Sequence, residues 1–247
     1  MKAVMRAALL LLSVLPIEST YAADLGQRAY TKAPVVDSVF DWSGFYLGGQ
    51  IGYAWRSDDN TERRTTNGLP DGYHASSKPA GAVGGLHAGY NWQAGHYLVG
   101  LEGDIEGANI KGSGNYVAGD GTVIDDRIDT KTDWQASLRG RLGFTANNWL
   151  VYATGGAAWA NIRHDYFTSG EPIETLSSTR LGWTAGAGVE YGFASNWSAR
   201  LEYRYTDYGT LTNNSTLFGF QDHKITENTV RGGISYHFNS GPAVARY

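Results

Sequence analysis

The sequence predicts an all-β chain, an eight-stranded antiparallel transmembrane β-barrel of up-and-down type with four long extracellular loops and three short periplasmic turns. Three observations predict it. Segments of about ten residues alternate apolar and polar side chains, as a strand with one face in lipid and one in a lumen must. The connections between them alternate short and long, and the tryptophans gather at the two ends of the segments.

Among 247 residues, 33 glycines and 13% aromatics favour strands and tight turns over helices. The mean hydropathy is negative, which argues against a helical span but not against a barrel, because a barrel turns half of each strand away from lipid. The one continuous apolar run, Ala7 to Leu15, follows Lys2 and Arg6 and precedes Pro16 and the small residues at Ala22 and Ala23. It is about half the roughly 20 residues that a spanning helix needs, so residues 1–22 are expected to be a signal peptide. Without them the chain keeps 18 basic and 23 acidic residues, a formal charge of −5, which makes nucleic acid a poor partner. With no cysteine there is neither a disulfide nor a thiolate metal site.

Residues 23–41 carry Pro34 and no alternation, and are expected to form a periplasmic N-terminal extension before a barrel at 42–238 and a tail at 239–247. The first span alternates Phe45, Leu47, Gly49, Ile51, Tyr53 and Trp55 with Tyr46, Gly48, Gln50, Gly52 and Ala54. The second sets Ala82, Leu86, Ala88, Tyr90 and Trp92 against His87 and Asn91, and the third sets Tyr97, Val99, Leu101 and Ile105 against Glu102, Asp104 and Glu106. The fourth opposes Trp134, Ala136, Leu138, Leu142 and Phe144 to Gln135, Ser137, Arg139 and Arg141. The fifth, Trp149 to Ile162, is a strand of undecided register: either Tyr152 and Thr154 or Val151 and Ala153 face outward. The sixth opposes Trp183, Ala185, Ala187, Val189, Tyr191 and Phe193 to Thr184 and Glu190, and the seventh opposes Ala199, Leu201, Tyr203 and Tyr205 to Arg200, Glu202 and Arg204. The eighth, Thr229 to Phe238, places Val230, Gly232, Ile234, Tyr236 and Phe238 opposite Thr229, Arg231, Gly233, Ser235 and His237.

Connections at 93–96, 146–148 and 194–196 are brief, whereas 56–79, 108–132, 163–180 and 209–227 are long, the asymmetry of periplasmic turns against extracellular loops. Trp42, Trp92, Trp149 and Trp197 fall at the short-turn ends, and Trp55, Trp134, Trp159 and Trp183 near the long-loop ends. Together they are expected to form two aromatic girdles at headgroup level. A soluble barrel burying tryptophan in its core is the competing reading.

The segment DWSGFYLGGQIGYAW, Asp41 to Trp55, resembles the opening strand of the outer-membrane immunogenic proteins of alphaproteobacteria, relatives of the opacity-type barrels. The resemblance extends more loosely over the leader, the Ala-Asp-Leu start at Ala23 to Leu25, and the terminal strand through Ser235, Tyr236, His237 and Phe238. It implies an abundant cell-surface barrel of the outer membrane with no catalytic residues to carry over. It also implies that Tyr236 and Phe238 serve as a signal to the barrel assembly machinery. Here Phe238 is followed by Asn239 to Tyr247, so that signal is internal, or Tyr247 substitutes for it, or the tail is an addition.

An eight-stranded barrel is just wide enough for its inward side chains to fill it. The inward acids Glu102, Asp104, Glu106, Glu190 and Glu202 balance the inward bases Arg139, Arg141, Arg200, Arg204 and Arg231. Unpaired buried carboxylates are costly and an arginine fork holds two oxygens, so these ten are expected to form a salt-bridged plug, with Glu102 and Glu106 meeting arginines of the neighbouring fourth span. A narrow charged conduit is the functional alternative.

Other sites rank below this one. His74, His164 and His223 fall in different long connections, and a porphyrin or metal held by them is weighed against solvated loop residues. The pairs His87 with Ser137 and Ser235 with His237 are the nearest approach to a nucleophile and base for a lipid-modifying enzyme, yet both face the lumen. Asp120, Asp125, Asp126, Asp129 and Asp133 lack the ordered spacing of a calcium loop. Arg56, Arg63 and Arg64 in the first long connection are placed to meet lipopolysaccharide phosphates. The expectation is therefore a structural, surface-exposed, non-enzymatic barrel without cofactor, supporting the envelope and meeting host or environmental ligands through its loops. A small-solute pore is the alternative.

Overall fold

The computed structural model describes residues 40–63, 70–117, 120–215 and 219–238. The expected signal peptide, nearly all of the N-terminal extension, the tail at 239–247 and the candidate Arg64 lie outside them. Nine strands form one antiparallel sheet: β1 (Gly44–Arg63), β2 (Pro70–Ser77), β3 (Ala80–Ala94), β4 (Tyr97–Val117), β5 (Val123–Ala146), β6 (Trp149–Thr168), β7 (Glu171–Ala194), β8 (Trp197–Ser215) and β9 (Gly219–His237). β2 and β3 are two halves of one stave. They lie against β1 in a single register as far as Thr61, Asp58 opposite Ser77 and Trp55 opposite Ala80, and both also lie against β4. Pro79 marks the break, since it has no N–H for the ladder, while its carbonyl still accepts from the Arg56 N–H at 2.8 Å.

β9 closes the sheet onto β1 in an unbroken register from Tyr46 opposite His237 to Arg63 opposite Phe220. Closure satisfies the backbone polar groups that lipid cannot. Following directly opposed residues once around the wall leads from Phe45 through Tyr90, Leu101, Gly140, Gly155, Ala185, Tyr205 and Asn228 to Trp55, ten positions along the starting strand. For eight staves that stagger corresponds to a strand tilt of about 40°. Ten steps of about 3.3 Å at that tilt rise about 25 Å, the height of a lipid-facing band.

Side chains alternate in and out as the period of two requires. Phe45, Ile51, Leu86, Leu101, Leu142, Leu201 and Ile234 face outward and exposed, while Tyr46, Gln50, His87, Glu102, Arg139, Glu202 and Arg231 are buried inside. In β6, Leu150, Tyr152 and Thr154 are buried and Val151 is exposed, which settles the register of the fifth span. Short turns at Gly95–His96, Asn147–Asn148 and Ser195–Asn196 join the staves at one end. Gly95 (φ 61°) and Asn147 (φ 53°) take the left-handed conformation that two-residue hairpins demand.

The four long connections differ from expectation in kind. Much of what the sequence assigned to loops is strand: β1 runs to Arg63, β4 to Val117 and β8 to Ser215, and β6 and β7 meet at a turn of two residues, Ser169 and Gly170. The wall thus continues past Trp55 to Arg63, roughly 20 Å beyond the apolar band at the same rise and tilt.

Candidate functional site

Three stacked layers fill the lumen. At the short-turn mouth the chain entering β1 folds inward, so that Phe40 and Trp42 pack with Leu98, Leu150 and Tyr152. The Phe40 N–H donates to Asn148 Oδ1 at 3.2 Å and the Trp42 N–H to Gln93 Oε1 at 3.1 Å, which ties this plug to one short turn and to the end of β3. Gly192 makes room for it: a Cβ there would lie 2.3 Å from the Phe40 ring. Trp42 is fully buried and therefore not a girdle residue.

The second layer is the arginine–carboxylate network, and all ten residues singled out from the sequence are buried in it. Arg139 is its hub. It pairs with Glu102, with Asp104 at 3.1 Å and with Glu202 at 3.0 Å, and donates to Ser137 Oγ at 3.0 Å and Thr154 Oγ1 at 2.9 Å. Arg204 bridges Asp104 at 3.2 Å and Glu202 at 3.0 Å, Arg200 meets Glu102, and Arg141 meets Glu190. Glu102 finds its arginine on the neighbouring stave as expected, but Glu106 does not. Its two oxygens receive Nε and Nη2 of Arg231, both at 2.8 Å, from the far end of the chain, and the neighbouring β5 supplies Gln135 instead. The difference follows from size, because a guanidinium reaches across a lumen this narrow.

Neutral groups complete the layer and were not picked out from the sequence. The Tyr46 hydroxyl donates to Glu102 at 2.7 Å, Gln50 donates to Glu106 at 2.7 Å, and the Tyr152 hydroxyl donates to Glu202 at 3.1 Å. The Arg141 guanidinium lies 3.8 Å from the centre of the Tyr152 ring. Inward glycines open the space these side chains occupy, since a Cβ on Gly89 would meet the Tyr46 hydroxyl at 2.4 Å and one on Gly188 would meet that of Tyr152 at 2.6 Å. Large inward residues facing glycines are a pattern visible in sequence once the register is known.

Above the network a third layer mixes ion pairs with apolar clusters. Arg56 pairs with Glu227 and donates to Thr132 Oγ1 at 2.6 Å, and His164 Nε2 lies 3.0 Å from Asp58 Oδ2, which also accepts from Thr130 at 2.9 Å. Ala158, Ala160, Ile162, Tyr208 and Ile225 form one apolar cluster, and Tyr116, Ile128 and Tyr166 another. Arg56 is thus a buried lumen residue and not a contact for outer-leaflet phosphates, and His164 is buried and not a solvated loop histidine. Both keep the inward parity of their strands, which run on past the ends assigned from the sequence. The side chains of Arg63, His74 and His223 are outside the described set.

The serine–histidine partners also differ from those read in the sequence. His87 Nε2 lies 2.8 Å from Ser235 Oγ and His237 Nε2 lies 2.9 Å from Ser198 Oγ, while Ser137 donates to Asp104. All these groups are buried beneath the Phe40–Trp42 plug. The acidic loop does not gather: Asp129 meets Arg127 at 3.2 Å, Asp133 meets Arg163 at 3.4 Å, and the described residues hold no cluster of His, Cys, Asp or Glu suited to a metal.

On the outside, Trp92, Trp149 and Trp197 are exposed at the short-turn rim, where Trp149 meets Tyr191 in a tilted contact at 4.6 Å and Trp197 meets Tyr236 at 5.2 Å. Trp55, Trp134 and Trp183 are exposed at the opposite rim, and Trp159 is half-buried on the same outward face. Tyr236 and Phe238 point outward in edge contact at 5.2 Å. Beyond the band, partial burial pushes the Asp165 carboxyl up, but hydrogen bonds from Lys131 at 2.7 Å and Thr175 at 2.9 Å outweigh it and hold the group below the ordinary carboxylate range.

An apolar belt between two aromatic rims, wrapped around a packed and charged interior, defines a small transmembrane β-barrel of the outer-membrane class. The chain belongs to the outer membrane protein β-barrel domain family, which it matches over residues 7–238. It is 35% identical over 236 residues to the 31 kDa outer-membrane immunogenic protein of Brucella melitensis, covering 89% of this chain and 94% of that one. It is 34% identical over 211 residues to the 22 kDa outer membrane protein of Rhizobium leguminosarum, covering 84% and 82%. Among solved structures, the outer membrane protein OprG from Pseudomonas aeruginosa shares the fold at a TM-score of 0.50 and 11% identity, over 79% of this chain and 97% of that one.

Proposed function

We propose that this outer-membrane protein is a closed, non-conducting element of the envelope that carries a stiff interaction surface well beyond the outer leaflet. The observation that carries the reading is the hub at Arg139 on β5, which holds Glu102 and Asp104 of the neighbouring β4 and reaches across the lumen to Glu202 of β8. On this reading the paired network closes the lumen between the Phe40–Trp42 plug and the apolar clusters above. The extended wall suits contact with a host or the surroundings, in keeping with relatives named as immunogenic outer-membrane proteins. Catalysis is not part of this reading, since the serine–histidine pairs are capped on both sides.

The same reading assigns lipid partners by position. Lys111, Lys131 and Arg163 stand opposite one another on the outward face just above the Trp134–Trp159 rim, where outer-leaflet phosphates would lie, and they take the role that the sequence gave to Arg56. Tyr236 and Phe238 remain the segment offered to the assembly machinery. Planar-bilayer recording of the purified protein tests closure: no steady openings are expected, and openings abolished by Glu102→Ala or Arg139→Ala would establish the narrow pore instead.

A further inference from the structure

The upper wall has a seam. β6 and β7 pair all the way to Thr168 and Glu171, and β8 and β9 pair to Ser215 and Gly219, but β7 and β8 pair only up to Trp183 opposite Asp207. Above the close contact of Gly182 with Tyr208, two strand edges run on unpaired with each other, Glu171 to Leu181 on one side and Gly209 to Ser215 on the other, and neither has a further ladder partner among the described residues. A bulge lies at the split. The β8–β9 register shifts between Asp207 and Thr210, where Gly209 takes φ 72° and its N–H donates to Asp207 Oδ1 at 2.7 Å. A glycine bulge of this kind bends the strand that carries it.

Strand edges with free N–H and C=O groups are templates for another strand, and proteins commonly blunt them. The orientation of this edge follows from alternation. The Gly192 N–H donates to Asn148 O on the β6 side, so even-numbered β7 residues bond to β6 and odd-numbered ones, Ser177 and Thr179 among them, turn their amides to the seam. Beside it lies Arg180, half-buried on the inward face. Its Nε donates to Ser178 Oγ at 3.2 Å, no carboxylate among the described residues pairs with it, and burial pulls its guanidinium down.

We propose that the β7–β8 seam is a peptide-binding site that takes an extended acidic segment of another protein as an added strand, with an acidic side chain seated against Arg180. The backbone edge calls for an extended chain and the lone guanidinium calls for an acid. Two β7 edges of separate copies do not suit one another, because copies in one membrane share the direction of the barrel axis and antiparallel pairing would invert one of them; the β7 edge of one copy against the β8 edge of another is an outcome the test distinguishes. The proposal rests on the outer wall being the interaction surface.

The test uses the refolded full-length barrel in detergent micelles and a fluorescein-labelled eight-residue peptide alternating valine and threonine around a central glutamate, with a lysine-centred peptide as control. Anisotropy should show binding of the acidic peptide, and hydrogen exchange should slow at 171–181 and 209–215. Arg180→Gln should weaken it about fivefold and erase the preference over the lysine peptide. Ser177→Pro removes an edge donor outside the β6 ladder and should abolish binding while heat-modifiable gel migration stays as in the wild type. Equal binding of both peptides, indifference to both substitutions, or absence of binding overturns the proposal. Protection confined to the strand tips would overturn the seam while leaving the outer wall as interaction surface, and protection at 171–181 that grows with protein concentration alone would give the edge to a second copy.

Discussion

Replacing Arg139 by methionine is the sharpest test of a dry, paired lumen. Methionine keeps much of the length and bulk of the side chain but removes its charge and the contacts to Glu102, Asp104 and Glu202. At an effective dielectric of 20, each contact near 3 Å is worth about 5 kcal/mol before desolvation, so three would exceed any reasonable barrel stability. Desolvation of four ions must cancel most of that, and the net loss for removing one partner of a buried network is about 3–5 kcal/mol. Here the loss should fall at the lower end. Each orphaned acid keeps a second arginine: Glu102 has Arg200, and Asp104 and Glu202 share Arg204. A fall of about 3 kcal/mol is a little over two powers of ten in the folded-to-unfolded ratio. Urea unfolding of the refolded barrel in micelles, followed by gel migration and tryptophan fluorescence, reads it. Adding Glu202→Gln restores charge balance, so the double variant should lose less than the sum of the singles. A loss under about 1 kcal/mol, with strict additivity, would mean that water already solvates these charges, and the filled-lumen argument would fall.

The mouth, the upper ion pair and the outer wall make separate predictions. Trp42→Ala should cost about 3–5 kcal/mol in the same unfolding assay, as for a fully buried aromatic, whereas a girdle residue such as Trp197 should cost much less. Gly192→Ala should destabilise the wild type by displacing Phe40 and should be nearly neutral in a Phe40→Gly background. Arg56→Met should lower stability by about 3 kcal/mol through loss of Glu227 and leave the dependence of folding on lipopolysaccharide unchanged, while Lys131→Ala should reduce that dependence. Asp165 has a depressed folded pKa, so its contribution is present above the ordinary carboxylate range and is lost as pH falls through the folded value. Asp165→Asn should therefore weaken the wall at neutral pH and make no difference in acid, as read by hydrogen exchange of β6 and β7.

Much of this barrel is written in the period of two. Alternation placed Glu102, Asp104, Glu106, Arg139, Arg141, Glu190, Arg200, Glu202, Arg204 and Arg231 inside, and all are buried. Which acid meets which arginine was not legible, because partners such as Glu106 and Arg231 are distant in sequence and meet only across a lumen whose stagger has to be known. The differences share one cause. Apolar alternation marks a strand only while its outer face meets lipid, and a strand leaving lipid has no reason to keep that face apolar. Arg56 and His164 lie where the sequence alone suggests loops, yet they continue the inward parity of Ala54 and Tyr152. Trp42 has the residue type of a rim position, but it shares the parity of Tyr46 and not of Phe45.

Parity read through to the strand ends also explains why the wall can rise so far without lipid. Inside the membrane the outer face is stabilised by hydrocarbon and the inner face by paired charge; above it hydrocarbon is gone, and the interior gains apolar clusters at Ile162, Ile225, Tyr116, Ile128 and Tyr166 beside the buried Arg56–Glu227 and Asp58–His164 pairs, while the exterior becomes charged at Lys131, Arg163 and Asp165. The barrel exchanges its two faces on leaving the bilayer, becoming in cross-section an ordinary water-soluble sheet wrapped around a core. That exchange needs continuous pairing on every side to hold the core shut. The β7–β8 seam is the place where pairing stops, beside the Tyr208 of one apolar cluster and within reach of the Leu176 that packs on the other. An added strand would close the wall over both clusters, so peptide binding should slow exchange not only along the two edges but also at amides around Ile162 and Ile128. Protection restricted to the edges, with the clusters exchanging as before, would show that the upper core is already sealed and would separate its stability from the seam altogether.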